Sequence, residues 1–469
     1  MIPYPSLVNI AVFFTAIVFS AVGTYLVLRG QWRWGMDAPD KKRKHHEKTV
    51  SRLGGLPIYL TLAAGFVFMA WRFPLFLENW WPIILTNCLI FAVGFIDDLK
   101  PLGAKVKLLG QVGVACILYA LGISIDVLTN PIGDYSIDLG WLSFPITLLW
   151  LISIPNIVNL IDGMDGLATG FGMFLCITLA IVGHYALNPE VVTISIIMGG
   201  ALTGFLLFNF PPAKIFLGDG GAYLIGFFIA SISLFTSHKG TIVAALLVVI
   251  IALGVPILDT LFAIIRRAIR GVPIFRADAE HIHHRLLHIG FSKAKALVAI
   301  YSVCLVLSLI GISIFWSRGM SLPIAGAALM LLGLWAARYL GYVKSWQGLK
   351  GQLQQAMVRR REMNYASTYG RMLEWEAERC KNTEEYLPLV YLGLERLGFK
   401  TSPVPGFKAV EIELTQERVV EVYAPDDKET QEIWLAKADT LAPGLILAAE
   451  RWSDFYSRLT TQSSGSSRL

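Results

Sequence analysis

Charge is scarce in this chain. Asp, Glu, Lys and Arg make up 16% of its 469 residues, against 55% apolar residues, and the mean hydropathy is +0.58. So little charge cannot clothe a water-soluble globule of this length, which places the chain among proteins that cross a membrane several times. Cysteine is scarce too. Cys88, Cys116, Cys176 and Cys304 lie inside apolar runs, Cys380 lies in the C-terminal part, and no CxxC occurs. Neither disulfides nor a thiolate-held metal are expected from that distribution. There is no HExxH and no internal repeat. The first apolar run lacks a positive leader and is longer than a signal-peptide core, so it reads as an uncleaved first helix.

What the chain does have is apolar runs. About eleven fall near residues 5–28, 53–73, 80–96, 106–124, 142–160, 166–185, 191–210, 220–236, 241–265, 296–316 and 322–342. Most approach the 20 residues that cross roughly 30 Å of hydrocarbon as a helix. The expected fold is therefore an all-α polytopic membrane protein of about ten to eleven transmembrane helices. With the N-terminus outside, the inner connections hold 19 Lys and Arg, from Arg29 through Lys295, and the outer ones hold only Arg72, Lys239 and Arg318. That asymmetry puts the C-terminus in the cytoplasm and the protein in the plasma or inner membrane.

Composition changes near residue 343. From there to the end, 17 basic and 18 acidic residues nearly cancel, leaving 23 basic and 16 acidic residues in the membrane part. The basic excess beside the bilayer favours anionic head groups and phosphorylated substrates. We divide the chain into a membrane domain (1–342), a small cytoplasmic α+β domain (343–459) and a disordered Ser/Gly-rich end (460–469). In the tail the pattern predicts helices over 345–380, 384–397 and 440–459, and a strand pair over 408–424.

The polar clusters fall on one side. Connections after odd-numbered runs carry Asp97-Asp98, the segment Asn156, Asn159, Asp162 and Asp165, then Lys214 and Asp219, then Asp278, His281, His283 and His284. Connections after even-numbered runs carry almost nothing, whereas a two-sided transporter would need polar groups on both faces. Carboxylates beside a bilayer are costly to desolvate and usually have a functional reason. Steps of three on a helix let Asn156, Asn159 and Asp162 line one wall, and Gly163 and Gly166 predict a helix break before Asp165 can turn away. Such a density of side-chain oxygens suits a hard cation, Mg²⁺ with Mn²⁺ as the substitute. Gly218, Gly220 and Gly221 flank Asp219 and allow close backbone approach, although an Asp at a helix start also reads as an N-cap. The three histidines, set among Arg266, Arg267, Arg270, Arg276 and Arg285, suit a polyanion better than zinc. Together these groups are equipment for phosphoryl transfer.

Arg52-Leu-Gly-Gly55, Asp97-Asp98, Asn156-x-x-Asn159-Leu-Ile-Asp162-Gly-Met-Asp165-Gly, Phe216-Leu-Gly-Asp219 and His281-Ile-His283-His284 stand in this order. In them the chain resembles the polyprenyl-phosphate N-acetylhexosamine-1-phosphate transferases, over residues 1 to about 342. The histidine motif and the Arg-Leu-Leu after it look more like the branch that uses UDP-N-acetylglucosamine than the muramoyl-pentapeptide branch. The resemblance implies a UDP-N-acetylhexosamine that donates its sugar 1-phosphate to a polyprenyl phosphate and releases UMP, starting cell-envelope polysaccharide. It implies Asp219 as Mg²⁺ ligand with Asn159 as the second, and Asp97 as the base or orienting group for the lipid phosphate, supported by Asp98. It further implies Asp162 and Phe216 near uracil. Arg52, Lys107, Lys214, Asn156, Asp165 and the three histidines would contact the substrates. A homodimer is implied and no nucleic acid partner. The tail is not part of the resemblance.

Overall fold

The structure is a computed structural model and describes residues 6–30, 36–37, 50–129, 136–237, 248–270, 282–317, 320–339, 349–415, 418–426 and 431–459. It divides into two compact units. One joins Met1–Leu261 with Ala279–Leu340, and the other joins Phe262–Asp278 with Gly341–Leu469.

The first unit is a bundle of long apolar helices: α1 (Ser6–Arg29), α2 (Gly55–Arg72), α3 (Phe76–Leu99), α4 (Ala104–Ala120), α5 (Ser143–Ile161), α6 (Leu167–Tyr185), α7 (Pro189–Asn209) and α8 (Gly218–Ser237). Beyond them come the first part of the helix Gly254–Arg270, whose residues from Phe262 onward belong to the second unit, and the helices Ile282–His288, Lys293–Trp316 and Leu322–Tyr339. Among the described residues eight helices are long and apolar enough to cross a membrane, and Gly254–Ile264 and Leu322–Trp335 are shorter apolar stretches. Helix α4, at 17 residues, is shorter than the apolar run it occupies. The start of the 241–265 run lies outside the described residues. The architecture is thus the all-α polytopic one that the hydropathy implies.

Helix α8 is apolar on every side, and 83% of its span is buried, against 17% of α1. In a membrane a helix without a polar face can lie against lipid, as most of α1 does, or inside other helices, as α8 does. It packs against α2, α3, α5 and α6, which makes it the centre of the bundle. Two glycines let its N-terminus come close to its neighbours. A Cβ on Gly94 of α3 would lie 2.6 Å from the Asp219 carbonyl oxygen, and one on Gly55 of α2 would lie 2.4 Å from the Gly221 nitrogen. Because successive helices alternate in direction, the α1–α2, α3–α4, α5–α6 and α7–α8 connections gather at one end of the bundle. Two short strands, β1 (Met36–Asp37) and β2 (Val50–Ser51), pair between α1 and α2. At the other end are a short hairpin, β3 (Val127–Thr129) with β4 (Ser136–Asp138), and a bond from Trp80 Nε1 to Glu190 Oε2 at 2.7 Å that ties α3 to α7.

The second unit is a small α+β body. Helices Leu349–Arg379, Thr383–Leu397 and Gln431–Arg451 enclose an antiparallel hairpin of β5 (Phe407–Thr415) and β6 (Arg418–Pro425). Its core joins Leu373, Tyr386, Phe399, Ile412, Leu445 and Phe455. The last helix begins nine residues before the expected start at 440. Ile433, Ala436, Leu441, Leu445 and Ala448 bury at helical spacing, and the helix runs through Pro443 rather than beginning near it. Residues 460–469 lie outside the described residues.

Candidate active site

The elements that gather at the polar end are locked together by backbone bonds. The Phe216 amide donates to the Ser51 carbonyl at 2.9 Å, and the Gly54 amide donates to the Phe216 carbonyl at 3.1 Å. This clamps the Arg52 segment across the approach to α8. Gly218, where α8 begins, has φ +76°, and a Cβ there would lie 2.2 Å from the Arg52 carbonyl oxygen. Only glycine meets both conditions without strain.

The two adjacent aspartates at the end of α3 serve different partners, because consecutive helical residues project about 100° apart. Asp98 turns toward α8. Its Oδ1 accepts from the Asp219 amide and its Oδ2 from the Gly220 amide, each at 2.8 Å. These are free amides of a helix N-terminus, so Asp98 caps α8 from another helix and sets a negative charge at the positive end of its dipole. Asp97 turns toward α4. Its Oδ1 accepts from the Leu102 amide at 2.6 Å, and its Oδ2 meets Lys107 Nζ at 2.9 Å.

The same Lys107 Nζ lies 2.7 Å from Asp219 Oδ2. One ammonium therefore bridges carboxylates that are far apart in sequence. With Asp98 capping α8, the Asp219 side chain is left to face this cation.

Asp162 is the residue after α5. Burial, and then the Asp219, Asp98 and Asp165 carboxylates, push its carboxyl well above the usual range, while the Arg52 guanidinium pulls it back. The helix break falls where Gly163 and Gly166 placed it: α5 stops at Ile161, and α6 starts after Gly166 in left-handed backbone. Asp165 Oδ2 accepts from the Ala213 amide at 3.2 Å and lies 3.9 Å from Lys293 Nζ. Asn159 is half-buried, with no side-chain hydrogen bond among the described residues. Lys214 is exposed, and Phe216 is half-buried beside the Arg52 segment. His281 lies outside the described residues. His283 and His284 belong to the helix Ile282–His288, but their side chains are outside the description.

Several groups at this end were given no role from the sequence. Buried Asn209, at the end of α7, accepts from the Gly166 amide at 3.1 Å and from the Thr169 hydroxyl at 2.8 Å, and donates to the Ile215 carbonyl at 2.9 Å. It thereby joins the start of α6 to the segment that leads into α8. Buried Asp259 accepts from the Ile282 amide at 2.8 Å, holding the first turn of the histidine-bearing helix. Gln111 and Tyr223 lie one helical turn beyond Lys107 and Asp219, both buried. A lone polar residue four positions after a charged one, inside an otherwise apolar run, was the signal available for both.

Could the site take a divalent cation? Among the described residues, Asp97, Asp98, Asp162, Asp165 and Asp219 outnumber the cations Arg52, Lys107 and Lys293 that act on them. The free donors are oxygens, the chemistry Mg²⁺ prefers. Among the described residues no three acidic or His and Cys side chains form a ready cage. An open set of one or two carboxylates is how Mg²⁺ is commonly held, with water and substrate phosphates completing the shell. The residues fit the ion.

Comparison with known proteins bears on the same region. Residues 80–237, from α3 through α8, match the model of glycosyl transferase family 4. The chain is 35% identical over 301 residues to a Bacillus subtilis protein named "Probable undecaprenyl-phosphate N-acetylglucosaminyl 1-phosphate transferase", covering 64% of this chain and 83% of that one. It is 32% identical over 361 residues to a decaprenyl-phosphate N-acetylglucosaminephosphotransferase of Mycolicibacterium smegmatis, covering 70% and 87%. It is also 32% identical over 297 residues to a phospho-N-acetylmuramoyl-pentapeptide-transferase of Halalkalibacterium halodurans, covering 60% and 88%.

Proposed function

Since the chain belongs to glycosyl transferase family 4, we propose that it transfers N-acetylglucosamine 1-phosphate from UDP-N-acetylglucosamine to a polyprenyl phosphate at the cytoplasmic face of the membrane. An oxygen of the lipid phosphate bonds to the sugar-bearing phosphorus of the donor. The bond between that phosphorus and the bridging oxygen breaks, and the electron pair leaves with UMP. The single observation that carries the reading is Lys107 Nζ between Asp97 and Asp219, which draws α3, α4 and α8 into one charged site.

Asp97 orients the lipid phosphate and takes its proton where one remains, and Lys107 keeps Asp97 and Asp219 together. Asp219 and Asn159 hold Mg²⁺, which supplies charge neutralisation of the diphosphate. Asp162 and Phe216 flank the uracil. Arg52, Lys214 and the histidines of 281–284 bind phosphate oxygens. The Bacillus subtilis relative named for N-acetylglucosamine is 35% identical to the chain against 32% for the muramoyl-pentapeptide relative, and this supports N-acetylglucosamine as the preferred sugar.

Purified protein offered a panel of UDP-sugars with polyprenyl phosphate is expected to turn over UDP-N-acetylglucosamine, and only with Mg²⁺ or Mn²⁺ present. No turnover of any UDP-N-acetylhexosamine would overturn the reading. Lys107→Met leaves Asp97 and Asp219 uncompensated, so kcat/KM is expected to fall about 100-fold, the scale of removing one preorganised charge, with Lys107→Arg recovering part of the loss.

A further inference from the structure

Asn156 projects from α5 one turn before Asn159, exposed at the polar end of the bundle. Its Nδ2 donates twice, to Gln111 Oε1 on α4 and to the Ile152 carbonyl at 2.7 Å. An amide nitrogen has two hydrogens, and both are taken. Its Oδ1 makes no hydrogen bond among the described residues. Gln111 is 2% exposed, and its Oε1 accepts from Asn156. If Gln111 flipped, its Nε2 would face the Asn156 Nδ2, donor against donor, and the contact would be lost, which is costly.

From this geometry we infer that Gln111 is a positioning residue that fixes the Asn156 amide with its oxygen, not its NH2, toward the reaction site. Resting on the transferase reading, this makes Asn156 an acceptor. The group it receives carries a hydrogen: a hydroxyl or acetamido N–H of the donor sugar, or a water on the bound cation. The arrangement also has a spatial logic. Lys107 and Gln111 lie one turn apart on α4, so the helix that carries the charged bridge also sets the amide.

The test is a double-mutant cycle on purified full-length protein, reading UMP release, donor KM and the midpoint of metal activation. Gln111→Leu removes the acceptor and lets the amide rotate, and kcat/KM is expected to fall about tenfold, the scale of one misdirected hydrogen bond. Asn156→Asp replaces the amide with a carboxylate whose two ends are both oxygens, so orientation no longer matters. In that background Gln111→Leu should cost less than about threefold. Gln111→Glu, which protonated offers the same accepting oxygen and an O–H donor, should stay within about threefold of the parent and keep the inference testable if Asn156→Asp proves inactive. A shift confined to donor KM assigns the oxygen to the sugar, and a shift in the metal midpoint assigns it to the cation's water; either supports the inference. Equal loss from Gln111→Leu in both backgrounds, no loss in the parent, or Gln111→Glu as poor as Gln111→Leu overturns it. An inactive parent protein would instead overturn the transferase reading itself.

Discussion

Asp219→Ala is expected to reduce UMP release by about a thousandfold or more while leaving the thermal midpoint of the detergent-solubilised protein nearly unchanged. The two halves of that result have separate causes. Asp219 opens α8, where an aspartate commonly serves as the cap. Here the cap comes from Asp98, whose two oxygens hold the Asp219 and Gly220 amides. Removing the Asp219 side chain therefore exposes no backbone donor. Its Oδ2 instead faces Lys107, across from Asp97. On the proposed reading, losing it would remove a ligand oxygen for the cation and free Lys107 to pair with Asp97 alone, neutralising the group proposed to receive the lipid phosphate. Turnover within tenfold of the parent would remove Asp219 from the chemistry. A large drop in the thermal midpoint would mean that it holds the helix after all.

Asp98→Leu is expected to fail in the opposite way, losing stability and activity together. The Asp98 side chain lies inside the bundle, 7% exposed, and the substitution strands two amide donors there. At about 1–3 kcal/mol for each of the two unsatisfied donors, the loss should be about 2–6 kcal/mol. Asp98→Asn keeps one accepting oxygen and should fall between. The measurement is thermal unfolding beside turnover for both variants. If Asp98→Leu kept the parent's unfolding midpoint yet lost turnover, Asp98 would be acting on substrate rather than on α8.

The sequence was most legible where a pattern is local. Hydropathy located α1 through α8 within a few residues, and the glycines after Asp162 marked the break between α5 and α6. Tail strands β5 and β6 showed through their alternation. What the sequence concealed depends on pairing across distance. Asp97 and Asp98 are neighbours in the chain, yet one serves α4 and the other α8, a division that only helix packing decides. Lys107 was expected to contact the substrates, but its bridge to Asp219 was not visible, because that partner lies 112 positions away. Asn209 and Asp259 were hidden for a related reason. Each is a single polar residue in an apolar run, and its bonds go to other segments of the chain. The early start of the Gln431–Arg451 helix was obscured by Pro443, which reads as a helix boundary until the burial of Ile433 and Ala436 is seen.

The most direct test of phosphoryl transfer is the identity of the nucleotide released. Purified protein in lipid nanodiscs, given UDP-N-acetylglucosamine, polyprenyl phosphate and Mg²⁺, should release UMP in equal amount to a lipid-diphosphate-linked N-acetylglucosamine. Release of UDP with a lipid-monophosphate-linked sugar would mean that the sugar–oxygen bond, not the bond to phosphorus, is the one broken, and would contradict the reaction assigned to this site.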